Sequence, residues 1–468
     1  MTAAGGATPA GPAGTTLARR LGPFDAAAII VSNVIGGGIF FVPVIVAGLV
    51  SSAWLILCAW LVGGILAFAG AMAYAELATL RPHAGGEYVY LREAYGQSAA
   101  FLAGWTSFVA GFSGGIAASA VALAQYIGRF IPAAADKTPL LTLPIPFVNV
   151  VITPQAIVAL SVIVALSLIH LRDAGRIIHN ILAGLTVAAL AIFVAVGLSF
   201  GAGSVSNFAS SHVVSAPMTG WWLALIPIMF TYSGWNAAVY VAEEIKDPAR
   251  NLPIALAAGT LAIILVYLAL NLLYFYALPI ADLAALRDAR LTDIVAERLF
   301  GFVAGNLLAL FTIVSIAASV SAMVLAGPRV YYAMARDGVF LPVSRVHPRH
   351  GTPMLAIIAQ AVWSCVLVLS GTQEQLVQYT GFALVLFAGV AVLSVFVLRH
   401  REPGANRPFR ALGYPLAPAT FVLASLVMVI NEVWHNPTTS LAGLGVMAAG
   451  LPLYWIFRRK SPQPSTSS

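Results

Sequence analysis

Charge is what this sequence has least of. Only 9% of its 468 residues are Asp, Glu, Lys or Arg, while 60% are hydrophobic and the mean hydropathy is +0.91. A soluble domain carries about 25% charged residues. So few charges cannot cover a water-exposed surface of this size, so the bilayer is the main solvent. The net charge of +7 comes from short loops between apolar runs rather than from a basic stripe or tail, which excludes nucleic acid as a partner. HExxH, CxxC and other metal-ligand clusters are missing, so neither a metal nor another cofactor is expected. The two cysteines, Cys58 and Cys365, sit in apolar runs and read as small hydrophobes. Residues 1–18 lack the basic start and apolar core of a signal peptide and read as a disordered tail, as does the segment 459–468. The apolar runs carry no convergent His/Asp or Ser/His set, which argues against an enzyme. Filter loops and charged rings, which would suggest a channel, are also absent. The loops are too short for the soluble domain of a receptor.

What is present is a series of apolar runs, each near the length of about 20 residues needed to span a bilayer. They fall at 24–49, 53–80, 97–131, 154–171, 176–200, 220–243, 252–278, 300–326, 353–371, 375–398, 414–433 and 439–457. The expected fold is therefore an all-α membrane protein of about 12 transmembrane helices. The third run is too long for one span, so its ends protrude or the helix tilts. With an even count both termini share a side. Of the 24 Lys and Arg, only Arg129, Lys137, Arg287, Arg290 and Arg298 then fall on the other side. The positive-inside rule places both termini in the cytoplasm, with the chain in the plasma (inner) membrane.

Two runs carry their own interruption. In the first, Ile35 is followed by Gly36, Gly37 and Gly38 at mid-span. Each glycine costs about 1 kcal/mol in a helix relative to alanine, and three together predict local unwinding. The sixth run holds Phe230-Thr231-Tyr232-Ser233-Gly234-Trp235-Asn236, a Ser-Gly step among polar side chains. In lipid, loose backbone is tolerated only where it is buried in protein or lines a cavity. Matching interruptions in two halves of a chain point to a transport site. Amides around Gly36–Gly38 present free N–H groups and a positive dipole end to a carboxylate. Carbonyls near Ser32 to Ile35, and near Phe230 and Thr231, face an ammonium group. A ligand with both groups on one carbon fits, so the expected partner besides the lipid bilayer is a small molecule, an amino acid or a close amine relative. The alternative use of the triple glycine is close helix packing.

Four segments in order carry a family resemblance. They are Ile35-Gly36-Gly37-Gly38-Ile39-Phe40; Tyr74-Ala75-Glu76-Leu77 with Pro82-His83-Ala84-Gly85-Gly86-Glu87-Tyr88-Val89-Tyr90; Tyr232-Ser233-Gly234-Trp235-Asn236 with Glu243-Glu244-Ile245-Lys246-Asp247-Pro248 and Asn251-Leu252-Pro253; and Arg329-Val330-Tyr331-Tyr332-Ala333-Met334-Ala335-Arg336-Asp337-Gly338. The sequence resembles the amino acid–polyamine–organocation superfamily of transporters, within it the L-type amino-acid transporters and their bacterial relatives. The resemblance implies alternating access through an inverted five-plus-five repeat with helices 1 and 6 broken, around a site between helices 1, 3, 6, 8 and 10. The division is then a first repeat at 19–200, a second at 201–398 and two further helices at 399–458. By position, Phe230 becomes the outer gate, Gly36, Gly37 and Gly38 contact a carboxylate, and Ser233, Gly234 and Asn236 line the helix 6 break. Gly37 stands where the family usually has serine. Thr186 stands where many relatives have a lysine that carries charge on helix 5, and a threonine cannot.

Without that lysine, exchange of neutral amino acids is the first mechanism, and proton- or sodium-coupled symport of amino acids or related amines is the alternative. Ser315 and Ser319, four apart on one helix face, can join helix 1 carbonyls in a sodium site or simply bond two helices. Asp25 and Arg92 are candidates for a gate network, Glu76 for a partner of loop arginines, and His170 and His179 for interfacial packing. Small and large neutral substrates both remain open, as do a homo-oligomer and an accessory subunit.

Overall fold

A chain in lipid has to satisfy each backbone N–H and C=O internally, which confines it to helices wherever lipid is the neighbour. The computed structural model describes residues 19–145, 148–171, 176–211, 217–286, 290–340 and 354–460. Residues 1–18 and 461–468, Arg172, Arg287, Arg345 and Arg349, and the side chains of Arg176, His179, Arg458, Arg459 and Lys460 lie outside what is described.

Among the described residues, seven helices are long and apolar enough to cross a membrane: Ala53–Leu80, Gln97–Ile127, Pro248–Ala277, Phe302–Arg336, Gln373–Arg401, Leu416–His435 and Pro437–Phe457. The pair Pro23–Val34 and Gly37–Leu49, bent by 43° at the glycines, makes an eighth crossing. Four helices with shorter apolar stretches complete twelve among the described residues: Pro154–His170, Arg176–Phe200 (apolar over Gly184–Phe200), Pro217–Tyr232 (apolar over Met218–Tyr232) and Met354–Ser370. In chain order these are helices 1 to 12, the bent pair being helix 1, and each overlies one of the twelve apolar runs.

The differences from the runs are informative. Helix 3 is a single 31-residue element. At 1.5 Å per residue it is about 46 Å long, beyond the roughly 30 Å hydrocarbon core. Helix 6 stops at Tyr232, inside its run. Helix 8 continues past its run to Arg336, because the Arg329–Arg336 stretch is helical although no longer purely apolar. The expectation of an all-helical chain misses one hairpin, Leu141–Ile145 paired antiparallel with Val148–Ile152, which links helices 3 and 4. Its prolines hid the alternation.

The two halves of helix 1 have different neighbours. Pro23–Val34 packs on helices 5, 7 and 8, and Gly37–Leu49 on helices 3 and 6. Helix 2 packs along helices 6 and 7, and helices 11 and 12 lie against helix 10. At the terminus-bearing end, the chain entering helix 1 bonds the strand leaving helix 6: Arg20 and Leu21 N–H donate to Glu244 O (2.9 and 3.0 Å), and Lys246 N–H to Leu21 O (2.8 Å).

Glu76 meets the arginines expected of it. The Arg399 fork donates to both its oxygens (2.9 and 2.7 Å), Arg407 Nε lies 3.3 Å away, and the Ala411 amide donates at 2.7 Å. The carboxylate is 2% exposed. On the opposite face, Arg129 is neutralised by Asp293 and Glu297, both at 2.7 Å, which accounts for a positive residue on the side poor in them.

Removing one member of a buried ion network leaves uncompensated charge and costs about 3–5 kcal/mol. Glu76→Gln is therefore expected to lower the melting temperature of the detergent-solubilised protein well below that of a surface control such as Glu374→Gln. Equal melting temperatures would show that the network does not hold this face together.

Candidate functional site

The two interrupted helices meet at mid-molecule. Helix 1 ends at Val34, turns through Ile35 and Gly36 and restarts at Gly37. Helix 6 ends at Tyr232, turns through Gly234 at φ 99° and resumes only as the single turn Ala237–Tyr240. A left-handed φ of this kind favours glycine. The glycines of helix 1 also serve close approach: a Cβ at Gly36 would overlap Ser319 of helix 8, one at Gly37 would press Ser119 of helix 3, and one at Gly38 would press Thr231 of helix 6. The packing use and the unwinding use of the triplet coexist.

Side chains occupy the carbonyls freed by the breaks. Tyr267 of helix 7 places its hydroxyl between both ends, 2.6 Å from Val34 O and 3.2 Å from Thr231 O. Ser319 Oγ donates to Asn33 O (3.4 Å) and Ser315 Oγ to Ile35 O (3.5 Å). The two serines thus bond helix 8 to helix 1. The Gly36 amide also donates to Val34 O (2.8 Å), which fills that carbonyl, while the Asn33 and Thr231 carbonyls each keep a second lone pair for a ligand. Helix 3 adds a third irregularity, a π-helical turn at Ser107–Gly111. Three donors from other helices meet its displaced carbonyls: Tyr331 to Ser107 O (3.2 Å), Trp363 to Val109 O (2.9 Å) and Thr380 to Ala110 O (3.3 Å). Such turns recur at functional sites.

These irregularities surround a cavity of about 60 Å³. One water needs about 10–15 Å³ by the same measure, so the space holds a handful of waters or one small solute. Its walls come from helix 1 and its break (Asn33, Val34, Gly36–Gly38), helix 3 (Ser107, Gly111, Phe112, Gly115, Ser119), the end of helix 6 and its break (Phe230, Thr231, Ser233, Gly234, Asn236, Ala237, Tyr240), helix 8 (Ser319, Met323) and helix 10 (Leu384). None of the described lining side chains is charged. The second half of helix 1, the hairpin and the helix 9–10 turn surround a vestibule of about 1000 Å³ that reaches down to Phe41. Phe41 packs on Phe230 of the cavity wall, with ring centroids 6.4 Å apart. Two aromatic rings thus separate vestibule from cavity.

Ion pairs close the terminus-bearing face. Arg92 and Tyr88 both donate to Asp337 Oδ2 (2.6 and 2.7 Å), which ties the short helix Glu87–Tyr95 to the end of helix 8. Burial and the adjacent Asp337 push the Tyr88 phenol up, so it remains a donor. Arg329 pairs with Glu244 at 3.0 Å, and Arg336 lies 3.8 Å from Glu243.

Of the residues singled out in the sequence, Gly36, Gly37, Gly38, Phe230, Thr231, Ser233, Gly234, Asn236 and Ser319 line the cavity. Ile35 does not: its side chain turns into the core, and its carbonyl is engaged by Ser315. Thr186 is buried on helix 5, which packs on the first half of helix 1, but it is not part of the cavity wall. Asp25 accepts from the Gly22 amide (2.7 Å) at the mouth of helix 1, while Arg92 goes to Asp337. His170 contacts Ser321. Phe41, Ser107, Ser119, Tyr240 and Asp337 were not singled out. The interruption signal points only to helices 1 and 6, and nothing in the spacing of helix 3 announces its π turn.

A sequence profile described as amino acid permease matches residues 21–457. The chain belongs to that family. The permease is 28% identical over 448 residues to the b(0,+)-type amino acid transporter 1 of Mus musculus, covering 95% of this chain and 88% of the relative. It is 28% identical over 452 residues to the serine/threonine exchanger SteT of Bacillus subtilis (95% and 98% covered). It is 27% identical over 461 residues to the large neutral amino acids transporter small subunit 2 of Homo sapiens (95% and 82% covered). The permease is thus an integral membrane protein of the amino acid–polyamine–organocation superfamily, a transporter rather than an enzyme.

Two predictions follow from the geometry. Gly36→Ala places a methyl group on Ser319, and overpacking of this kind costs about 1–3 kcal/mol. It should lower thermal stability and ligand binding, and Ser319→Gly in the same chain should restore both. A second change that fails to rescue would remove the helix 1–helix 8 contact as the cause. Phe230→Ala should speed release of a bound ligand towards the vestibule while the protein stays folded. An unchanged dissociation rate would take Phe230 out of the gate.

Proposed function

We propose that the permease carries a small neutral amino acid across the plasma (inner) membrane by alternating access, in exchange for a second amino acid. The observation that carries this is a cavity without charged side chains, walled by two broken helices. A net charged ligand would have no counter-ion there. A zwitterion has the amides of Gly37 and Gly38 for its carboxylate and the second lone pairs of the Asn33 and Thr231 carbonyls for its ammonium group. The substrate side chain is left facing Phe112, Met323 and Leu384, and the cavity volume favours a small one.

Exchange is supported by Thr186, which carries no charge where a titratable lysine would serve proton coupling, and by the name of the bacterial relative. The proposed working units are the repeats 19–200 and 201–398 with the helices of 399–458 outside them, and with both termini cytoplasmic by the distribution of Lys and Arg. In the arrangement described, the vestibule reaches the Phe41–Phe230 pair while the opposite face is closed by Arg92–Asp337 and Arg329–Glu244. Opening the second face requires those pairs to part.

The test is uptake of labelled L-serine, L-alanine and L-leucine into proteoliposomes that are empty, preloaded with amino acid, or under sodium or proton gradients. Uptake of the smaller two that depends on preloading is the expected result. Gradient-driven uptake into empty vesicles would replace exchange by symport, and preference for L-leucine would overturn the assignment of size.

A further inference from the structure

Glu87 is a buried carboxyl with no cationic partner among the described residues, set directly beneath the cavity. It opens the short helix Glu87–Tyr95 after Gly85 and Gly86, whose φ values are 116° and 53°. A Cβ at Gly86 would run into the Tyr240 ring at 2.6 Å, so only glycine lets this loop press so close to the helix 6 break. The side chain that follows is buried and accepts three hydrogen bonds: Tyr74 Oη to Oε1 at 2.8 Å, Asn236 Nδ2 to Oε1 at 2.7 Å and Tyr240 Oη to Oε2 at 2.9 Å. Asn236 Nδ2 also donates to Tyr240 Oη at 3.0 Å. Asn236 and Tyr240 are both cavity walls.

Among the described residues, the groups around Glu87 leave its charge uncompensated. The ionisable groups facing it are three phenols: Tyr74 of helix 2, Tyr90 of its own helix and Tyr240. The described arginines on the elements packed around it are engaged elsewhere, Arg401 by the Ala94 carbonyl (2.7 Å) and the others by carboxylates. Arg92 holds Asp337, Arg329 holds Glu244, Arg336 lies by Glu243, and Arg399 holds Glu76. Burial pushes the Glu87 carboxyl up, against the pull of its three donors.

A hydroxyl has one proton to give. With Glu87 ionised, Tyr240 gives its proton to Oε2. With Glu87 neutral, Oε2 carries a proton of its own and donates it to Tyr240 Oη, and the Tyr240 proton turns towards the cavity its ring lines. We propose that Glu87 is a proton-binding site coupled through Tyr240 to the substrate: a proton taken from water by Oε2 turns the Tyr240 hydroxyl into a donor for the ligand in the cavity. The proton and the amino acid then bind together, and both leave when the face beneath opens and hydrates the carboxyl. During exchange the proton enters with one amino acid and departs with the other, so the site sets a pH dependence without net proton flow. The proposal rests on the cavity being the amino-acid site.

The test is equilibrium binding of labelled L-alanine and L-serine to the purified full-length permease between pH 5 and pH 8. The dissociation constant should be about tenfold or more smaller at pH 5 than at pH 8, as linkage to one proton allows. Glu87→Gln has nothing to titrate and should bind with one affinity at every pH. Tyr240→Phe should also lose the pH dependence, with its affinity fixed near the alkaline value of the unmodified protein. Binding that is measurable but flat with pH in the unmodified protein overturns the proposal, even if neither variant folds. PH dependence that persists in Glu87→Gln overturns it too, while the amino-acid reading survives both results. Absence of binding at any pH overturns both.

Discussion

The rest of this structure depends on one constraint: a broken helix inside a bilayer has to have its freed backbone groups met by something other than lipid. Helices 1 and 6 expose carbonyls and amides out of reach of bulk water, and side chains meet the carbonyls of Asn33, Val34, Ile35 and Thr231. Tyr267 stands between two helix ends at once. Ser315 and Ser319 cap the helix 1 turn from helix 8. Helix 3 opens its own π turn and is met in the same way from helices 8, 9 and 10. The polar groups in excess of this mutual satisfaction face the cavity. The binding site is therefore the remainder of a hydrogen-bonding account rather than a pocket added to a finished bundle.

The two ends of the cavity are closed by different physics. Towards the vestibule the closure is a pair of phenyl rings, Phe41 and Phe230, whose separation breaks no hydrogen bond. Towards the termini it is a set of arginine–carboxylate pairs reinforced by Tyr88 and by the Glu87 cluster. Aromatic contact of that kind is worth on the order of 1 kcal/mol beyond burial, while partly buried ion pairs gain and lose hydration as they part. The first gate can thus respond to the ligand alone. The second has to be opened by a rearrangement that rehydrates several charges together, and in that layer Glu87 meets two phenols and an amide where its neighbours meet arginines.

Much of this was legible in the sequence for simple reasons. Span positions follow from apolar length, and sidedness from where arginine accumulates. The two breaks follow from glycine, which no helix interior in lipid tolerates in triplicate without cause. Glu76 could be read as a partner for loop arginines because a carboxylate near a membrane edge needs one. The assignment of Arg92 was legible only as a gate candidate, since Asp337 lies 245 residues away and nothing local selects it. Ile35 is expected to offer its carbonyl before the glycines, and in the structure Ser315 reaches that carbonyl from helix 8 while the side chain packs in the core. The hairpin after helix 3 was missed because Pro144 and Pro146 mask its strand pattern.

By itself, then, the sequence determined that the chain crosses the membrane about twelve times, which crossings are interrupted, and that no charged side chain sits at the interruptions. Those properties depend on composition along one segment and on the solvent around it. Tertiary structure alone decided which donor meets which freed carbonyl, that helix 3 unwinds by a π turn, that Phe41 rather than a polar residue faces Phe230, and that Glu87 lies under Tyr240. Those outcomes depend on which distant helices the packing brings within about 3 Å of each other, the range of a hydrogen bond, and no periodicity within a segment encodes that.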